Sequence, residues 1–357
     1  MRGTLSPPVS EVIPREERSL AGEIDMARYK VVILDDEKDM GDFYAIMNSR
    51  LGGDVEIARV NQYDMAAIAA ACADCDGILN PLVNIDGGMM DGMARCRIIV
   101  KMGIGHDNID SAAAAARGIM VANTPDYCEG EVADHALALL LAVNRRIALS
   151  DRQVRRGVWN DTILHPDTPR LSECVFGVLG CGRIARNAAR RAEAFGMGIV
   201  GHDPFLDAAT LAAHRIEKID SLDEFLGRAD FVSIHIPSTE ANRNLIDKKR
   251  LARMKRSAIL INTARGAVVN EADLAEALRN GTIAGAGIDV QIREPPPQPS
   301  PFNDLDNVVL TPHTAYYSAA ADKALRVLGA EAIADAFQKG RPASWVNQNG
   351  FVPGYRE

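Results

Sequence analysis

Short apolar runs alternate along this chain with stretches whose apolar residues fall at helical spacing. In a first series, Lys30–Leu34, Val55–Val60, Gly77–Leu79 and Arg97–Val100 read as short buried strands. Helical patterns such as Met65 to Ala73 separate them. A second series runs from Val175 to about His313, with strands at Gly198–His202, Phe231–Ile236, Ala258–Asn262 and Val308–Thr311. Strands that are apolar on both faces and alternate with helices predict parallel sheets covered on both sides. Between the series, a helix is expected from about Glu129 to Ile147, long enough to bridge two lobes. A second long helix is expected from about Ser318 to Gln338, with Val327, Ala330, Ala334 and Phe337 at helical spacing. The second series is complete without it, so it is expected to cross back and cap the first lobe.

The expected fold class is therefore α/β: two Rossmann-like, doubly wound parallel-sheet lobes with a cleft between them, the first lobe discontinuous. The expected boundaries are a polar, Pro-containing, disordered arm over 1–26, a substrate-binding, flavodoxin-like domain over 27–126 plus 319–357, and a dinucleotide-binding domain over 127–318. A chain of 357 residues is comfortable for two domains. Its charge of −8 argues against nucleic acid or an anionic membrane as the main partner. The longest apolar run, Ala136 to Val143, is too short to span a bilayer. Charged residues Glu11 and Arg15 to Arg18 interrupt any secretory segment, and Met26 is an alternative start. Six scattered cysteines make no disulfide framework, so a reducing cytoplasm is expected. Cys72 and Cys75 form a CxxC with no second pair to complete a metal site, and the histidines show no ligand spacing, so no metal is expected.

Val178-Leu179-Gly180-Cys181-Gly182-Arg183-Ile184-Ala185 narrows the chemistry. An apolar strand ends in a glycine turn and a helix begins, which is the sequence form of a dinucleotide-binding βαβ unit. Gly180 allows the tight turn, Gly182 lets backbone approach a pyrophosphate, and Ala185 is small where helix meets strand. The helix start, with Arg183 and Ile184, offers N–H donors and a favourable dipole. Asp203, at the end of the next strand, can accept from both ribose hydroxyls and would repel a 2′-phosphate. No Arg or Lys in Pro204-Phe205-Leu206 offsets that repulsion, so NAD(H) is favoured over its phosphorylated form. His235, at the end of the Phe231–Ile236 strand, and Pro237 and Thr263, just beyond strands, are further expected cofactor contacts.

Three motifs follow strands of the same lobe: Asn262-Thr263-Ala264-Arg265-Gly266, Gly287-Ile288-Asp289-Val290 leading to Glu294-Pro295, and Thr311-Pro312-His313-Thr314-Ala315. Residues beyond strand C-termini line the ligand crevice of a doubly wound sheet. Reducing a 2-oxo acid needs a cation to hold its carboxylate and polarise its carbonyl, and a donor for the developing alkoxide. Arg265 suits the first task. His313 suits the second, because histidine as a residue type can both give and take a proton near neutrality, with Glu294 as a carboxylate to orient it.

The order Arg265, Glu294, His313 within these motifs resembles the D-isomer-specific 2-hydroxyacid dehydrogenases, from about Tyr29 to Trp345. Gly103-Ile104-Gly105-His106-Asp107-Asn108-Ile109-Asp110 and Asn123-Thr124-Pro125 add to the likeness. Glu129 to Asp134 and Thr311 to Ser318 look most like the C-terminal-binding-protein branch, which contains NAD(H)-binding corepressors and bacterial dehydrogenase relatives. The resemblance implies that Arg265 binds substrate, that Glu294 and His313 form the acid–base pair, and that Asp289 holds the nicotinamide carboxamide. It also implies a homodimer built through the cofactor lobe. Pro81 and Leu82, after Leu79 and Asn80, and Lys101 to Gly103 match positions that face the substrate carboxylate, and Tyr316 is grouped with them. Lys101 stands where that branch has arginine, Tyr316 where it has tryptophan, and Val132 replaces a threonine.

The expected function is thus NAD-dependent interconversion of a small 2-oxo acid and its D-2-hydroxy acid. The alternative is an NADH-sensing, corepressor-like dimeric scaffold with little turnover. Formate or phosphite oxidation fits less well, because formate dehydrogenases pair the histidine with glutamine. The Pro295 to Pro301 stretch could be a PxxP ligand, but the resemblance places a variable loop there, which is the preferred reading.

Overall fold

The computed structural model describes residues 29–36, 39–159 and 168–353. The expected N-terminal arm, Met26 and His165 lie outside the described residues. The chain divides into two compact units, one formed by residues up to 127 together with those from 319 onward, the other by 128–318.

The first unit holds strands β1 (Tyr29–Ile33), β2 (Val55–Arg59), β3 (Gly77–Asn80), β4 (Ile98–Lys101) and β5 (Met120–Ala122). Their order is β2-β1-β3-β4-β5, and every pairing is parallel. β3 and β4 are buried at every position, which is why they read as continuous apolar runs rather than alternating ones. The Ala319–Lys339 helix belongs to this unit. Its Leu325, Ile333 and Phe337 share one core with Phe43 and Met47 of the Gly41–Leu51 helix. Tyr29 of β1 stacks on Phe337 with ring centroids 4.3 Å apart.

The segment after that helix runs back along the edge strand. Trp345 bridges Ala122 antiparallel, and the Val346 amide donates to the Val121 carbonyl at 2.9 Å. Asn347 is the clip, a buried amide with all four hydrogen-bonding positions answered. Its Oδ1 accepts from the Val121 amide (2.8 Å) and the Trp345 indole (2.7 Å). Its Nδ2 donates to the carbonyls of Ile119 (2.9 Å) and Ser111 (3.3 Å).

The second unit holds β6 (Val175–Leu179), β7 (Gly198–His202), β8 (Glu217–Lys218), β9 (Phe231–Ile234), β10 (Ile259–Asn262), β11 (Gly285–Ile288) and β12 (Val308–Leu310). The order is β12-β11-β10-β9-β6-β7-β8, again all parallel. The chain leaves β6 for β7 and β8 on one side, then crosses to β9 on the other. The order therefore reverses between β6 and β9, which is where such sheets open a crevice beyond their carboxyl ends.

The Glu129–Asn144 helix lies in the second unit, its Ala133, Ala136, Leu139 and Leu140 in one core with Phe176, Ala188 and Ile261. The reason lies in β11. A Cβ at Gly285 would stand 2.5 Å from Val143 Cγ1, and one at Gly287 2.7 Å from Leu139 Cβ. The glycines let the helix seat directly on the sheet. It stops at Asn144, because Arg146 takes a left-handed φ of 51° before a new helix, Ile147–Arg155.

Replacing Asn347 by alanine orphans the buried Val121 amide and Ile119 carbonyl, a loss of about 2–4 kcal/mol. Urea unfolding checks this; a change within about 0.5 kcal/mol would show that water reaches those groups.

Candidate active site

The glycine turn sits at the switch point. Gly180 has φ 83°, and a Cβ there would lie 2.8 Å from the His235 carbonyl oxygen and 2.6 Å from Ile236 Cγ2. Only glycine joins the left-handed turn to that close approach between the ends of β6 and β9. Gly182 precedes the Arg183–Ala194 helix as its N-cap, and no side chain caps the first turn. The space a Cβ would occupy at Gly182 is open. Arg183 pairs with Glu129 at 2.9 Å, Ile184 is half-buried, and Ala185 is fully buried in the core.

Asp203, after β7, does more than the motif implies. Its Oδ2 accepts from the Cys181 amide and its Oδ1 from the Phe205 amide, both at 2.9 Å. The carboxylate thus fixes the glycine turn against the end of β7 while staying half-exposed. Across the turn, the His235 Nε2 lies 2.9 Å from the Ser233 hydroxyl. Burial pushes the His235 pKa down to about 4, so the ring is neutral at neutral pH. Pro237 is exposed, and its carbonyl accepts from Asn242 Nδ2 at 2.6 Å.

After β10, Asn262 shapes the next turn: its Oδ1 accepts from the Ala264 amide (3.0 Å) and its Nδ2 donates to the Arg265 carbonyl (2.9 Å). Arg265 follows, half-buried, with Nη1 donating to the Ala264 carbonyl at 2.7 Å. Thr263 within this turn has a buried Oγ1 with no partner among the described residues. That orphaned hydroxyl, the open space at Gly182 and the Asp203 carboxylate are what a dinucleotide would use, so these residues fit one.

Gly266 joins the turn to the loop after β11. A Cβ on it would stand 2.1 Å from the Gln291 carbonyl carbon, so the two backbones touch. Within that second loop, Glu294 Oε1 accepts from the Gln291 amide at 2.9 Å, and Glu271 Oε1 accepts from the Ile292 amide at 2.6 Å. The other Glu294 oxygen meets His313 Nδ1 at 2.5 Å. The pair is partly solvent-exposed. His313 itself is strained, with φ 54°.

Asp289 holds that strain. Its side chain is fully enclosed. Oδ1 accepts from the Thr311 hydroxyl (2.5 Å) and the Thr314 amide (3.0 Å), Oδ2 from the Ala315 amide (3.0 Å). The Asp289 carbonyl accepts from the His313 amide at 2.8 Å. The carboxylate assigned by resemblance to the nicotinamide is here the anchor of the histidine loop.

Arg265, Glu294 and His313 are thus linked by contacts within the second unit, as are Gly180, Gly182, Asp203 and His235. Tyr316 follows the histidine loop in the same unit, half-buried and edge-on to Tyr317. The remaining residues expected on the substrate side fall in the first unit, at and after the ends of β3 and β4. Lys101 is buried and its ammonium donates to the Pro81 carbonyl. The Gly103 amide donates to the Thr124 hydroxyl at 2.7 Å, and Leu82 is exposed.

Sequence reasoning did not single out Asn262, Glu271 or Ser233. Ser233 had a signal, because residues two apart on a strand share a face with each other. Cys72 and Cys75 are buried, and their mutual hydrogen bond, with burial, holds the Cys72 thiol far above its ordinary range. Among the described residues no group of His, Cys, Asp or Glu is arranged to hold a metal, and no helix is long and apolar enough to cross a membrane.

Residues 137–315 match the family described as "D-isomer specific 2-hydroxyacid dehydrogenase, NAD binding domain". A glyoxylate reductase of Korarchaeum cryptofilum is 40% identical over 284 residues, covering 77% of this chain and 83% of its own length. This chain belongs to the D-isomer-specific 2-hydroxyacid dehydrogenase family. A D-3-phosphoglycerate dehydrogenase of Mycobacterium leprae is 39% identical over 272 residues, covering 76% of this chain. This chain spans about half, 51%, of that relative's length. Among solved structures, an NADPH-dependent glyoxylate/hydroxypyruvate reductase of Sinorhizobium meliloti, in complex with NADP and malonate, matches with TM-score 0.76 and 30% identity. That match covers 91% of this chain and 98% of the other. Family membership makes the glycine-turn unit an NAD-binding domain. The corepressor-like branch rests on the sequence motifs alone.

The depressed His235 pKa has a thermodynamic consequence. The unfolded chain binds a proton near pH 6.5 that the folded chain refuses until about 4. Stability is therefore full above about 6.5 and is lost as pH falls toward 4. In His235→Gln the loss between about pH 7 and about pH 5 shrinks by at most about 2 kcal/mol. Urea titrations at both pH values read it, and equal losses in both proteins would exclude His235 as a source.

Proposed function

We propose that this chain is an NAD-dependent dehydrogenase that interconverts a small 2-oxo acid and its D-2-hydroxy acid. The observation that carries the reading is the 2.5 Å contact of His313 with Glu294, on a loop whose neighbour presents Arg265 beside the orphaned Thr263 hydroxyl.

In the reductive direction Arg265 binds the substrate carboxylate and polarises the carbonyl by its charge. The bound cofactor supplies a hydride to the carbonyl carbon. The alkoxide oxygen that develops takes a proton from His313 Nε2, while Glu294 holds Nδ1 and stabilises the charged ring. In the oxidative direction neutral His313 accepts that proton. One hydride and one proton are gained by the oxo acid, and the histidine recovers its proton from solvent through its exposed face. Lys101, with Pro81, Leu82, Gly103 and Tyr316, is proposed to shape the substrate side. Malonate, a small dicarboxylate, and a 2-oxo acid reductase occur together in the description of the Sinorhizobium relative, which supports a small acid here.

Asp203 favours NAD(H) by repelling a 2′-phosphate, although the Sinorhizobium relative is described as NADPH-dependent. We also propose a homodimer through the second unit. Ile147, Val154, Val158 and Trp159 support it, an apolar group 37–87% exposed on and just after one short helix.

With glyoxylate, hydroxypyruvate and pyruvate as a panel, the protein is expected to consume NADH, and to prefer it over NADPH on the order of 100-fold in kcat/KM. His313→Ala is expected to lower kcat by about 10²–10⁴-fold and leave NADH binding intact. NADH binding without turnover of any 2-oxo acid overturns the enzymatic reading.

Glu294→Gln removes the charge beside Nδ1 and keeps the shape. The protonated ring is less favoured, so the pH above which reduction falls away moves down, with kcat/KM reduced on the order of 10–100-fold. An unmoved profile takes Glu294 out of the mechanism.

A further inference from the structure

The Thr311 hydroxyl has one proton, and it points to Asp289 Oδ1 at 2.5 Å. Its oxygen makes a second contact, 2.9 Å from Nε2 of His135. With its only proton engaged, that oxygen accepts, so the imidazole of His135 must donate from Nε2. The same nitrogen stands 3.5 Å from Asp289 Oδ1.

His135 lies one turn before Leu139 on the Glu129–Asn144 helix, the helix that Gly285 and Gly287 allow to seat on the sheet. Its neighbour Ala136 is buried, so the helix is fixed at that level and the ring is held toward the ends of β11 and β12. The ring is itself largely covered, with its side chain 23% exposed. Asp289 is enclosed completely and accepts three hydrogen bonds. One of these depends on which way the Thr311 hydroxyl turns. A hydroxyl rotates freely unless a second partner fixes it, and His135 is that partner.

We propose that His135 is a positioning residue for His313. Its Nε2–H fixes the Thr311 hydroxyl as a donor to Asp289, and the anchored carboxylate holds the histidine loop in its left-handed conformation. His135 touches no reacting atom in this scheme. The proposal rests on the dehydrogenase reading for its kinetic arm only.

Its test uses the full chain labelled with ¹⁵N-histidine, the ring signals assigned with His135→Gln and His313→Ala. In the wild type, His135 is expected to carry a proton on Nε2, and a ring protonated on Nδ1 alone overturns the proposal. His135→Leu is expected to shift the His313 ring signals, and His135→Gln, whose side-chain amide can donate to Thr311, to restore them. In turnover, His135→Leu lowers kcat on the order of tenfold with KM for NADH unchanged, and Gln recovers most of it. Thr311→Val is expected to give the same loss, and adding His135→Leu to it no further loss. Unmoved His313 signals in the Leu variant, a Gln variant no better than Leu, or additive losses in the double variant each overturn the assignment. Should His135→Leu fail to fold, the wild-type tautomer and the Thr311→Val comparison still decide it. If the wild type reduces no 2-oxo acid, the dehydrogenase reading fails while the spectroscopic arm still reports on His135.

Discussion

A carboxylate sealed from water has to have its charge answered by donors, and at Asp289 all of them come from one short loop. That requirement organises the candidate active site. The loop cannot close on Asp289 unless His313 accepts a left-handed backbone, a conformation a non-glycine residue adopts only under constraint. Once it does, the imidazole projects from a rigid support and meets Glu294. The burial of one acid thus sets the orientation of a neighbouring base, and the two roles do not compete for the same atoms.

The same economy appears at the switch point. Gly180 brings β6 to the His235 carbonyl, and Asp203 pins the turn through the Cys181 amide. A group expected to read the ribose is therefore also part of the scaffold that presents the phosphate site. Substitutions there will mix affinity with local order. Gly266 makes a comparable join between the Arg265 turn and the Gln291–Glu294 loop, where two backbones touch and no side chain could intervene.

Much of this was legible in the chain. The buried parallel strands announced themselves as apolar runs, and the Rossmann fingerprint and the Arg265, Glu294 and His313 motifs fell at strand ends as expected. The short strands β5 and β8 were not legible, and β11 was implied only by the motif at its end. β5 and β8 have too few residues to show a period, and β11 is glycine-rich because a helix presses on it. The Glu129–Asn144 helix was found, but its partner was not, since periodicity tells which face is apolar and not what covers it. Asp289 was named for a ligand by resemblance, and only the hydrogen-bond pattern assigns it the loop. Asn262 and Glu271 act through backbone groups, which leave no trace in residue spacing.

The first unit is made from the two ends of the described chain, whereas the second is continuous from 128 to 318. A ribosome therefore delivers every residue of the second unit before it delivers the helix and the Asn347 clip that finish the first. The five-stranded sheet must wait, its Phe337-binding face uncovered, while nearly two hundred further residues are synthesised. Domains generally fold as their residues emerge, so the nascent chain inverts the usual order: the later unit completes first. A sheet face left uncovered for that long is the kind of surface on which nascent chains associate wrongly.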